Sequence, residues 1–172
     1  VFDVAESNFD TALWNPLAEY LSGIGVTFHT GTSVSSISRD GTKKFRVHCD
    51  NGTTVDADGV VLATDAGGLQ QIVSASTDLG DAQWRQRVAD LELAPPFVVQ
   101  RLWLDRPVDA GRPDFLGTGG LEPVDNISVV SNYERQAAEW ARANGGSVVE
   151  VHSYSVPADS VPSEGLREEM LA

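Results

Sequence analysis

One cysteine and three histidines are all that 172 residues contain of the usual soft metal ligands. Cys49 alone cannot close an internal disulfide, and it argues against a metal centre built on cysteine. Basic residues are scarce as well, since 12 Lys and Arg stand against 25 Asp and Glu for a formal net charge of -13. Phosphate backbones are held by clustered cations that displace counterions, so nucleic acid is excluded as a partner. No window approaches the roughly 18 to 20 apolar residues that span a bilayer. The opening "VFDVAESNFD" has no basic stretch leading into an apolar one, so no signal peptide is visible and the cytoplasm is the expected location.

The common catalytic constellations are missing too. "GTGGL" and "GTSVS" do not form the strained G-x-S-x-G elbow that presents a nucleophilic serine. There is no G-x-x-x-x-G-K-[ST], and no G-x-G-x-x-G follows a strand to cradle a pyrophosphate. His29, His48 and His152 fall in strand-like runs far apart and read as satisfied or surface histidines. Asp56, Asp58 and Gly59 resemble part of a calcium loop, but the other ligand positions and the closing glutamate are absent, so they read as a hairpin end. Cys49, in "FRVHCD", reads as ordinary packing, and the sequons at Asn51 and Asn126 read as turns.

What is present is a well-patterned globular chain, 41% apolar with interspersed charge. Leu13, Leu17, Tyr20 and Leu21 draw one apolar stripe on a helix from about Thr11 to Ser22, with Asp10 as its cap and Gly23 and Gly25 as its stop. Short strands are expected in "VTFHTG" and "SVSSISRDG", broken by Gly31 and Gly41, and a hairpin turn at Asn51-Gly52 joins "KKFRVHCDNG" to "TTVDADG". "GVVLA" is continuously apolar, as in a parallel strand covered on both faces, and a helix follows from Gly68 to Ser74. Trp84, Val88 and Leu91 mark another helix, capped by Asp81 and ended by Ala94-Pro95-Pro96. Beyond the prolines come strands in "FVVQRLWLDRPV", "DFLGTGG", "NISVVS" and "SVVEVHSYSVP". A helix carrying Tyr133, Ala137, Trp140 and Ala141 on one face, closed by Gly145-Gly146, precedes the last of them.

The order of these pieces carries a resemblance. "LSGIG", "VTFHTGTSVSSI", "FRV" and "NGTTVDADGVVLAT" follow one another as in the middle of the flavin-dependent amine oxidase and carotene desaturase superfamily, which has a T-x-V-x-x-I step and an apolar strand ending in Ala-Thr. The matching positions are Thr32, Val34, Ile37, Ala63 and Thr64. "VVQRLWLDRPV" and the run from "FLGTGG" to "VHSYSV" resemble the bacterial aromatic-carotenoid branch, the isorenieratene synthase-like proteins. The resemblance spans about Trp14 to Pro157.

It implies a mixed α/β (α+β) fold in two parts. Residues 1–95 would be a partial FAD-binding region of helix, β-meander and final parallel strand, and 96–172 part of a substrate-binding domain with an antiparallel sheet and helices. It implies FAD in the whole protein, with Val34 meeting the adenine through its backbone and Ala63 and Thr64 forming a small-residue approach at the strand end. No catalytic residue is identified, since flavin carries the redox chemistry and the protein orients an apolar substrate. The resemblance further implies oxidation or isomerisation of a polyene such as a carotene, with peripheral membrane contact open to the whole protein. The flanking G-x-G-x-x-G and carboxyl-terminal flavin motif are not in this sequence, so it is expected to be an internal portion, inactive alone, without tightly held FAD and prone to self-association. An amine-oxidising flavoprotein and a stand-alone binding module are the alternatives.

Overall fold

The computed structural model describes residues 4–39, 44–157, 159 and 164–171. These pack as two compact units, one of residues 27–93 and the other of residues 1–26 with 94–172. Both carry helices and antiparallel sheet, so the mixed α/β class stands.

The first unit is a three-stranded antiparallel meander, β1 (Val34–Arg39), β2 (Phe45–Cys49) and β3 (Thr54–Ala57), followed by helices α2 (Ala66–Ala75) and α3 (Ala82–Ala89). The turn between β2 and β3 forms at Asn51-Gly52: Gly52 takes φ 80°, and the Asn51 side chain accepts from the Thr53 amide at 2.9 Å. Gly41 lies outside the described residues. Asp65 and Asp81 cap their helices, accepting from the amides of Gly68 at 2.6 Å and Trp84 at 2.8 Å. Ile37, Ile72 and Leu79 form the core, with Phe45, Val47, Val60, Leu62 and Trp84 around it.

Four local expectations differ here. "VTFHTG" and "GVVLA" have no regular secondary structure and join no ladder among the described residues, and Thr30-Gly31 form a turn. A strand of a parallel sheet exists through its neighbours' hydrogen bonds, and no described strand pairs with either. In "GVVLA" the two faces differ: Val60 and Leu62 turn inward, while Val61 is 90% exposed. The third helix stops at Ala89, before the prolines, and Leu91 lies beyond it, exposed. The Gln70 amide explains the stop, because it donates to the carbonyls of Val88, Ala89 and Leu91 at 3.2, 3.1 and 2.8 Å and satisfies groups that a helix end leaves orphaned.

The second unit is built on a four-stranded antiparallel sheet ordered β4 (Val98–Leu104), β7 (Ser147–Ser153), β6 (Asn126–Ser128) and β5 (Phe115–Gly117). Helix α4 (Arg135–Asn144) packs Ala137 and Trp140 with Tyr133 and Val130 against Val148 on one face. Tyr133 precedes the helix proper yet packs in the same cluster. On the other face Val149, Val151, Leu102 and Ile127 meet Leu166 and Met170, which helix α5 (Glu164–Glu169) and the residue after it bring in. Gly145 ends α4 at φ 66° in the left-handed region. At Gly146 a Cβ would stand 2.0 Å from the Leu104 carbonyl oxygen, so the close approach of chain to strand needs glycine.

The amino-terminal helix forms as a π-helical turn, Asp10–Trp14, running into α1, Asn15–Gly23. Its capping bond comes from Asn8, whose side chain accepts from Thr11 at 3.0 Å, and not from Asp10. Asp10 already lies inside the first turn, past the capping position. None of the helix is buried, and Leu13, Leu17 and Tyr20 stand exposed. The sequon at Asn126 is not a turn: it forms β6, with Asn126 and Ser128 buried.

Candidate functional site

Val34, Ala63 and Thr64 all line one cleft of about 550 Å³ in the first unit. Val34 opens β1, just before an irregularity in its pairing with β2, where Ser35 steps aside and donates to the His48 carbonyl at 3.0 Å. Such irregularities re-aim a strand end. Ala63 and Thr64 close the segment from Gly59, and the Thr64 hydroxyl donates to the Asp65 carbonyl at 3.0 Å. Thr32, Val60 and Gly68 are among its other lining residues. A Cβ at Gly68 would come within 3.1 Å of the Asp65 carboxylate and 3.3 Å of Thr64 Cβ, so this wall is packed to the backbone.

The cleft's lining is mainly apolar, with the hydroxyls of Thr32, Ser33 and Thr64 and the Gln71 amide, and among the described residues no Lys or Arg lines it. The start of α2 beside it is neutralised by the chain's own Asp65 carboxylate. These features fit a flat, weakly polar group such as an adenine. They give no purchase for a pyrophosphate, which needs cations or a free helix N-terminus.

The second unit holds a polar strip that no single stretch of sequence announces. Arg101 on β4 stands opposite Glu150 on β7, and its Nε and Nη2 both reach Glu150 Oε1, at 2.8 and 2.7 Å. Glu134 lies 3.8 Å from the same guanidinium. His152, two residues along the same face, places Nε2 3.3 Å from Glu150 Oε2 and Nδ1 3.2 Å from the Tyr154 hydroxyl. Asn126 Nδ2 donates to that hydroxyl at 2.8 Å. Tyr133 borders the strip; burial first, then the neighbouring Glu150 and Glu134, push its phenol above the usual tyrosine value, against the opposing pull of Ser128 and Arg101. His29 is exposed, and His48 shares a hydrogen bond with Ser38 at 2.9 Å, so the three histidines share no site.

Residues 11–172 match the flavin containing amine oxidoreductase family. The chain belongs to that family. It is 46% identical over 172 residues to the carotenoid phi-ring synthase of Streptomyces griseus, covering 98% of this chain and 33% of that protein. It is 36% identical over 115 residues to the carotenoid phi-ring synthase of Chlorobaculum tepidum, covering 66% of this chain and 18% of that one. The chain thus spans a third or less of the curated relatives it matches. A crystal structure of an oxidoreductase from Methanosarcina mazei shares the fold with a TM-score of 0.66 at 23% identity, over 94% of this chain and 36% of that one. Membership of a flavin-containing family implies FAD as the cofactor, and the carotenoid-related relatives support the resemblance read from the sequence.

Arg101, Glu150, His152 and Tyr154 were not legible as a group, because β4 and β7 meet only through the fold. The signal available was "EVHSY", in which Glu150, His152 and Tyr154 recur at every second residue and so share one face of a strand.

Proposed function

We propose that the whole protein is an FAD-dependent oxidoreductase acting on a carotenoid, by desaturation, isomerisation or modification of an end ring. The observation that carries this reading is the near-complete alignment of the chain with the Streptomyces griseus carotenoid phi-ring synthase. Residues 1–95 would contribute to the flavin-binding region and 96–172 to the substrate-binding one. Val34, Ala63 and Thr64 would hold the adenine end of FAD, a role supported by their meeting in one apolar cleft. The flavin, when bound, accepts hydride from carbon; the chain's residues orient the substrate and manage its protons.

The substrate is an apolar small molecule. Carotenes are stored in bilayers, and among the described residues no helix is long and apolar enough to cross one. The acidic charge disfavours docking to anionic lipid, so a cytoplasmic protein would reach its substrate through a peripheral, apolar contact. The test is to purify the whole protein, record its visible spectrum and supply a carotene under air or with an artificial acceptor. Flavin absorption together with a product changed in hydrogen content or ring structure supports the reading. A flavin-free protein, or one that oxidises amines and leaves carotenes untouched, refutes it.

A further inference from the structure

We infer that Tyr154, His152 and Glu150 form a proton relay whose accessible end is the Tyr154 hydroxyl, and that this end takes the proton released when the carotenoid is dehydrogenated. The inference rests on the function proposed above and adds to it the residues that handle the proton.

The direction of the relay follows from its donors. Asn126 Nδ2 can only donate, so the Tyr154 oxygen accepts there and its own hydrogen is free for His152 Nδ1. His152 must then accept at Nδ1 and donate from Nε2, and the group facing Nε2 is Glu150. Glu150 can accept it because Arg101 engages the other carboxylate oxygen from β4. One consistent chain of donors runs from Asn126 through Tyr154 and His152 to Glu150. Every member of it is fixed by a partner from another strand, or by its neighbour at two-residue spacing.

Burial sets the ends. The Glu150 and His152 side chains are 19% and 18% exposed, whereas Tyr154 is 49% exposed. Asn126 is 4% exposed, and its Nδ2 donates to the Tyr154 oxygen from this buried position. Around the open end the surface is mixed: Tyr154 shares a pocket with Glu122, Asp125 and Glu169, and apolar side chains stand on its other side. Phe97 sits 6.1 Å from the Tyr154 ring, and the register places Val99 and Phe115 on the face that carries His152 and Glu150. A hydroxyl backed by a base and flanked by these apolar side chains suits a hydrocarbon whose only reactive hydrogens are on carbon.

Dehydrogenation removes two hydrogens from adjacent carbons. One would leave as hydride to an oxidant of the flavin class, which the function proposed above supplies. The other leaves as a proton to the second lone pair of the Tyr154 oxygen while the tyrosine's own proton passes to His152 Nδ1. The C–H electron pair closes the new C=C bond, and the imidazolium so formed lies against the Glu150 carboxylate. Tyr154 is the catalytic residue; His152 and Glu150 act through it.

The test uses the whole protein, with β-carotene in detergent micelles as the probe and with 15N-labelled histidine. Tyr154→Phe keeps the ring and removes the hydroxyl. Its kcat should fall by about 100-fold or more with KM little changed, the usual worth of a positioned acid or base. In the wild type, the His152 resonances, assigned by their loss in His152→Gln, should show a protonated Nε2 and an accepting Nδ1, and Tyr154→Phe should shift Nδ1. A proton on Nδ1, or an unshifted Nδ1 in Tyr154→Phe, overturns the relay whatever the turnover. A kcat in Tyr154→Phe within threefold of wild type overturns its catalytic role. If the wild type does not turn over β-carotene while the tautomer is as described, the carotenoid reading fails and takes the relay's catalytic role with it.

Discussion

The hydroxyl of Ser76 accepts the backbone N–H of Ile37 at 2.8 Å and donates to the carbonyl of Ile72 at 2.6 Å, tying the free edge of β1 to the end of α2. Ser76 and Ile37 are both almost fully buried. An edge amide that would otherwise await another strand is therefore satisfied by one side chain. In Ser76→Ala that amide is buried without a partner, at a cost of about 1–3 kcal/mol. Urea denaturation should show the midpoint falling by the corresponding amount with an unchanged slope. A variant as stable as the wild type would mean the amide finds another acceptor.

Gly146 offers a backbone test in the second unit. Gly146→Ala drives a methyl into the Leu104 carbonyl and should destabilise the protein by about 1–3 kcal/mol, as overpacking does. Gly111→Ala, where an added Cβ meets nothing within 4 Å, is the control and should be close to neutral. Thermal unfolding of the pair should separate them clearly, and equal shifts would show that the approach of Gly146 to β4 is not tight.

Tyr133 makes a pH prediction. Burial raises its pKa above the ordinary 10.0, so the folded state favours the neutral phenol more than the unfolded state does. That preference stabilises the fold fully below the unfolded tyrosine pKa and is lost as pH climbs through the higher folded value. Ultraviolet titration of phenolate should therefore show a tyrosine ionising above the ordinary value, and this late phase should vanish in Tyr133→Phe. An unchanged titration in that variant would assign the late phase elsewhere.

The exposed stripe of α1 predicts association of the isolated chain. Leu13, Leu17 and Tyr20 stand open together, a face that water disfavours and another apolar surface can cover. Sedimentation should show a concentration-dependent oligomer, and Leu13→Lys with Leu17→Lys should shift it toward monomer. A monomer at all concentrations would contradict this.

The sequence disclosed the elements whose causes are local. Asn51-Gly52 makes its turn, Asp65 and Asp81 make their caps, and Gly145 ends its helix, each through contacts within a few residues. Features made by distant partners were hidden. "GVVLA" carries the composition of a covered strand, yet whether it is one depends on ladders with other segments. The third helix reads as running to Pro95, but it is stopped by Gln70, some twenty residues earlier in the chain. Val34 and Ala63 could be proposed as partners from the family pattern; that they share a cleft is a property of the fold. The strip from Arg101 to Tyr154 needed the β4–β7 register, which joins residues 49 apart.

The central claim about the site is that the cleft of Val34, Ala63 and Thr64 receives FAD. Ala63→Trp in the whole protein fills the end of the segment with an indole and should displace the cofactor sterically. The measurement is FAD per protein from the visible spectrum of the purified variant, with far-ultraviolet circular dichroism confirming that it is folded. A folded protein that has lost most of its flavin is the expected result. A folded Ala63→Trp protein with the full wild-type complement of FAD would contradict the account and leave the segment as packing alone.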